Sequence, residues 1–146
     1  MTSTTNTKKN PSVVYSFNGR WEEPLRRGEI SVFFRKRRPI KLPDKVFFYI
    51  GVPVKSIVGF STVGSITEVS LEEAKLFRND GAITENELIE YIGHNGTVHA
   101  IRIGKPVLFD QPKRLSDLNA KFGFNPPQSF SILEASFEGA LVGSAE

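Results

Sequence analysis

Two long β-prone runs followed by two helix starts placed back to back limit the fold more than any other feature of the chain. Lys45 to Ile50 and Ser56 to Val69 are rich in Val, Ile, Phe and Tyr and are separated by Gly51-Val52-Pro53, so they read as strands joined by a turn. Gly59 and Gly64 fall inside the second run, where a missing side chain allows the bulges or bends that curl a sheet toward a barrel. Directly afterwards, Ser70-Leu71-Glu72-Glu73 and Thr84-Glu85-Asn86-Glu87 each have the form in which a hydroxyl and a carboxylate satisfy orphan amides at a helix start. Asp80-Gly81 separates these helices and Gly93 ends the second. Thr97 to Ile103 and Pro106 to Phe109 return to strand, and Leu115 to Phe122 is a short helix stopped by Gly123. Helices do not alternate with strands, which predicts an α+β domain with a mainly antiparallel, curled sheet rather than a doubly wound parallel one.

Ahead of these runs, Val13 to Phe17 is a strand, Trp21 to Gly28 a short helix ended by the glycine, and Ile30 to Arg35 a second strand. The Arg/Lys run that follows, with Pro39 and Pro43, reads as an exposed connection. Residues 1–11 have few apolar groups and no period and are expected to form a mobile arm. The domain is placed at 12–133, and 134–146, rich in small residues and Glu, is expected to fray.

With 146 residues the chain is the size of one ordinary domain, and 39% hydrophobic content with twelve Phe supplies a core rather than a disordered coil. There is no cysteine, which excludes disulfides, a thiolate zinc site and thiol catalysis. No apolar run nears the roughly 20 residues needed to span a bilayer, and the polar segment Met1 to Asn10 lacks a signal-like apolar stretch. A soluble, cytoplasmic protein with no membrane partner is expected. Net charge is +3, but it is uneven, since Arg26 to Lys45 holds eight basic residues against two acidic ones. Such a local excess attracts polyanions.

Three segments together resemble the ASCH family of PUA-like domains, in particular its small prokaryotic members described as predicted regulators. Leu25 to Pro39 is similar to the family's helix, glycine, strand and arginine motif, Lys45 to Gly59 to its paired strands joined at a proline, and Gly123 to Phe130 to a loop near its C-terminus. The resemblance implies a PUA-like β-barrel, closed or partly open, with flanking short helices and a cleft that accepts RNA or a nucleobase. It also implies a runner-up activity, because some members are hydrolases of acylated cytidine or ribonucleases. Those typically carry a lysine two residues after the motif glycine and a Glu or Thr five after it. Ile30 and Phe33 stand at these positions, and neither can transfer a proton or stabilise charge.

The leading expectation is therefore a regulatory RNA- or modified-nucleobase-binding module, without catalysis and without a cofactor, that uses a basic cleft. Arg35, Lys36, Arg37 and Arg38 would clamp phosphates, with Arg35 at the family arginine, and Arg26 and Arg27 would add to the field. Trp21, Tyr15 and Tyr49 can stack on a base, core packing being the alternative for each. Lys55 resembles a cleft-edge position, while Gln128 and Ser129 can hydrogen-bond a ligand. His94 and His99 are the only histidines and lie in no metal-binding pattern, so they are read as structural. Glu87 and Glu90 share one helix, where a general-acid role needs a pocket. The alternatives are a nucleoside amidohydrolase or ribonuclease with Lys55 in place of the missing lysine, and a protein-binding domain that uses the acidic helices from Leu71 to Gly93. Ile30 and Phe33 share the strand read over Ile30 to Arg35, where their odd spacing puts them on opposite faces, so they are not expected to line the cleft together.

Overall fold

A computed structural model describes residues 10–143. In chain order the elements are β1 (Val13–Phe17), a 3-10 turn (Gly19–Trp21), α1 (Glu22–Arg26), β2 (Val32–Arg35), β3 (Lys45–Ile50) and β4 (Ser56–Ser70). There follow α2 (Leu71–Leu76), α3 (Glu85–Ile92), β5 (Thr97–Ile103), β6 (Val107–Arg114), α4 (Leu115–Phe122), β7 (Phe130–Ile132) and α5 (Ala135–Gly143). The α+β expectation holds. One seven-stranded sheet runs β2-β5-β4-β3-β1-β7, with β6 added to β4, and every pairing is antiparallel except β1 with β3.

The sheet curls without closing, because β2 and β7 end the path and do not pair with each other. β4 makes the curl. Its first half pairs with β3 on one side and β6 on the other, and its second half with β5. The β5 register shifts between Val63 and Ser65, at Gly64, which is how an extra residue bends a strand. A Cβ at Gly59 would collide with the Val107 carbonyl oxygen and lie 3.0 Å from Leu108 Cα, so only glycine lets β6 approach here.

Alternation along the strands separates the core into layers. Val13, Tyr15 and Phe17 of β1 point inside the curl with Phe48, Phe33 and Ile101. Val14 points the opposite way and joins Phe47, Tyr49 and Ile57 under β6, α4 and α5. A third layer seats Leu71, Ala74 and Leu88 of α2 and α3 on Val32, Phe34 and Val98. Both faces of β3 are covered, which is why its sequence is continuously apolar rather than alternating.

Both capping boxes form. Ser70 Oγ accepts from Glu73 N at 3.2 Å while Ser70 N donates to Glu73 Oε1 at 2.9 Å. Thr84 Oγ1 accepts from Glu87 N at 3.1 Å while Thr84 N donates to Glu87 Oε1 at 2.9 Å. Pro24 sits in the first turn of α1, where its missing N–H breaks no helical bond. No helix of the described residues is long and apolar enough to cross a membrane.

Four expectations are corrected. Residues 135–143 do not fray but form α5, because Phe137 and Leu141, four apart, fall on one helical face and bury against the back layer. Ser12 Oγ also donates to Glu138 Oε2 at 2.8 Å. The segment expected as a loop before Leu133 contains β7, paired with β1, and β6 continues past Phe109 to Arg114. Ile30 lies before β2, whose first residue is Val32. It is therefore free of strand alternation and packs in the same interior cluster as Phe33. The expected N-terminal arm falls mainly on residues 1–9, outside the described residues. Asn10 is tied by Nδ2 donating to Leu42 O at 2.8 Å.

Candidate functional site

A cleft of about 510 Å³ opens where β1 and β2 end, roofed by the 3-10 turn, the loop at Gly81 to Ile83 and one face of α3. Asn18 starts the turn, its Oδ1 accepting from Arg20 N at 3.1 Å, and so directs Arg20 and Trp21 into the cleft. Arg20 then meets Glu87 through two parallel bonds, Nε to Oε2 at 2.7 Å and Nη2 to Oε1 at 2.8 Å. Its Nη2 also donates to Ala82 O at 2.8 Å, and its Cζ stands 3.9 Å from the Trp21 ring centroid. This fork matches a carboxylate, and it locks the turn to α3.

Glu87 thus serves both Arg20 and the start of its own helix. The Arg20 hydrogen bonds, followed by the Thr84 backbone amide, pull its carboxyl down to about 2. It is an anion at neutral pH and a poor proton donor.

Arg35 occupies the opposite wall. Its Cζ lies 4.3 Å from the Phe17 ring centroid, 5.5 Å from that of Phe33 and 5.6 Å from that of Tyr15. Among the described residues its guanidinium makes no hydrogen bond and no ion pair; it stands against these rings, with an electrostatic pull from Tyr91. Burial lowers its pKa, yet a guanidinium stays charged in a protein. Desolvation raises the Tyr15 phenol, against opposing pulls from Arg35 and Arg38. It stays protonated and donates to Arg37 O at 2.8 Å. Glu90 and Tyr91 complete the lining from α3, so the walls carry Arg20 and Arg35 against Glu87 and Glu90. The cleft itself is mixed in charge, and the cationic excess lies on the loop leaving β2.

A mutant of the ASCH protein from Zymomonas mobilis superposes with a TM-score of 0.83 at 22% identity, covering 92% of this chain and 96% of that one. The unmutated protein gives 0.80 at 23% identity, over 91% and 94%. The fold is of the ASCH type. The N-terminal domain of McrB from Staphylothermus marinus follows at 0.65 and 14% identity, covering 93% of this chain and 95% of that domain. That of Thermococcus gammatolerans, bound to m5C DNA, gives 0.55 and 13%, over 92% and 96%. The sequence matches no family model and no curated protein.

On this ASCH-type frame, Trp21 and Arg35 come together in the cleft, Phe33 lines it, and Ile30 sits in the core cluster that Phe33 joins. Lys36 is on the rim. Its backbone N donates to Tyr91 Oη at 3.1 Å and its Nζ lies 5.0 Å from that ring. Arg37 is exposed, and Arg38 is turned to its own loop, Nε donating to Pro39 O at 2.9 Å. Arg26 and Arg27 lie outside, bridged to Glu22 at 3.0 Å and Glu23 at 3.5 Å.

Tyr49 is in the back layer, 6.0 Å from the Phe124 ring, where burial raises its pKa. Lys55, at φ 50°, borders a separate hollow with Arg114, Asn119 and Asn125. Gln128 is exposed, and Ser129 offers its carbonyl to Ser16 N at 3.2 Å; neither lines the cleft. His94 is exposed. His99, opposite Arg35 in the β2–β5 register, has a buried Nδ1 with no hydrogen-bond partner among the described residues. Among the described residues no three His, Cys, Asp or Glu could hold a metal.

Sequence reasoning missed Arg20 and Tyr91. Tyr91 lies four residues after Glu87, on the same helical face. Arg20 directly precedes the one tryptophan.

Proposed function

We propose that the protein is a binding module for RNA or a modified-nucleobase ligand, which it holds in the cleft between Trp21 and Arg35. The observation that carries this reading is the Arg35 guanidinium, held against three aromatic rings with no acceptor among the described residues. A cation so placed is oriented but unsatisfied, and it suits a phosphate or base carbonyl oxygen. Trp21 provides a face for stacking once Arg20 moves aside. Phosphates flanking the captured base would run along Lys36 and Arg37. The likeness to a McrB domain that binds m5C DNA is in keeping with this reading.

Hydrolysis is the weaker reading. Ile30 and Phe33 are buried apolar residues, Lys55 faces another hollow, and Glu87 is committed to Arg20. The test is titration of fluorescent short RNAs at rising salt. Affinity should fall steeply as phosphate contacts are screened, and Arg35→Ala should bind at least about tenfold more weakly. Salt-independent binding, or an unaltered Arg35→Ala, would sink the proposal. Turnover of acylated cytidine by the purified protein would favour the hydrolase instead.

A further inference from the structure

The loop from Lys36 to Pro43 carries four cations, no carboxylate and an apolar tip. Ile40 is 96% exposed and Leu42 40%, whereas Pro39 and Pro43 on either side are buried. This is not a slack connection. Tyr15 Oη donates to Arg37 O at 2.8 Å, Arg38 Nε to Pro39 O at 2.9 Å and Asn10 Nδ2 to Leu42 O at 2.8 Å. The two buried prolines and these bonds hold Ile40 out in water, where an aliphatic side chain gains nothing.

An apolar tip ringed by cations fits a partner that is anionic outside and apolar within. Stacked nucleic acid has that construction, with phosphates around base faces, and isoleucine is among the side chains that wedge between base steps. The loop also starts at the cleft wall, since Arg35 ends β2 and Lys36 N is bonded to the cleft residue Tyr91. Ile40 lies five positions after Arg35, a reach of at most about 18 Å.

We propose that Ile40 is a wedge that enters a base stack next to the nucleotide held in the cleft, so that the preferred partner is a paired RNA stem with one unpaired nucleotide. The inference rests on the cleft reading above and adds the paired partner to it. Insertion fills the gap left when one base leaves the stack, and Arg37 and Lys41 meet the backbone on either side.

The test uses an RNA hairpin with one unpaired nucleotide, a fluorescent adenine analogue beside it in the stem, and a single strand of the same sequence. The unsubstituted protein should brighten the analogue by unstacking it. Ile40→Asp, at so exposed a position, leaves the fold intact. It should weaken stem binding about tenfold or more, abolish the brightening, and leave single-strand affinity within about twofold. Ile40→Leu should restore both stem signals. Equal stem binding by Ile40→Asp and the unsubstituted protein, with Arg35-dependent single-strand binding intact, overturns the wedge and spares the cleft reading. Failure to bind either RNA overturns both. Ile40-dependent flotation with phosphatidylserine vesicles, without stem binding, also overturns the wedge and assigns the loop to a lipid surface.

Discussion

The cleft and the hollow beside Lys55 both contain basic side chains, and they differ in how those cations are held. At the cleft, Arg35 is pressed against Phe17, Phe33 and Tyr15, side chains from two different strands. At the other hollow, Lys55 stands on an exposed turn and its carbonyl accepts from Leu115 N at 2.9 Å. In the sequence both are basic residues beside a strand end. Only the first has its orientation fixed by packing, and a fixed charge loses less freedom on binding than a mobile one.

The largest effect expected from breaking this contrast is on stability. Phe33 packs edge-on to Tyr15 at 5.3 Å and Phe17 at 5.1 Å between ring centroids, so Phe33→Ala should cost about 3–5 kcal/mol. Urea unfolding followed by aromatic fluorescence measures it, and a cost below about 1 kcal/mol would show that the ring is not what holds Arg35. Next, Arg35→Ala should weaken RNA binding about 10- to 100-fold, while Lys55→Ala stays within about twofold. Equal losses in parallel titrations would erase the distinction between the hollows. Trp21→Ala should then remove about 1–3 kcal/mol of stacking, read as an increase in Kd that is shallower in salt than that of Arg35→Ala.

The smallest effect sharpens the contrast through pH. Glu87 is held at about 2 against an ordinary 4.5, so its ion pair stabilises the fold above the unfolded value and is lost as pH falls toward the folded one. Both side chains are 37% exposed, which limits the pair to about 0.2–1 kcal/mol. Glu87→Gln keeps the capping geometry. Its melting temperature should lie slightly below the unsubstituted protein's at neutral pH and converge with it between about pH 4.5 and pH 2. A gap that widens on acidification contradicts this assignment.

Features set by local chemistry were legible in the sequence. The capping boxes at Ser70 and Thr84 and the positive-φ glycines 28, 93 and 123 need only their neighbours. The bend at Gly64 was also legible, because an interior glycine in a strand has few other uses. Features set by partners distant in the chain were not. Tyr15 and Tyr49 have similar sequence surroundings, yet β1–β3 pairing turns one toward Arg35 and the other into the back layer. β7 has only three residues and takes its identity from Val13 to Tyr15. The same holds for Arg20, which reaches Glu87 across 67 positions of sequence.

β1 lies between β3 and β7, in contact with early and late parts of the chain at once. On a ribosome that adds about 5–20 residues per second, this strand waits on the order of ten seconds for its second neighbour. Throughout that wait its outer row of amides and carbonyls is open to any other extended chain. The wall that carries Tyr15 and Phe17 thus keeps one open edge until Phe130 arrives, and only the α5 cover of the back layer comes later.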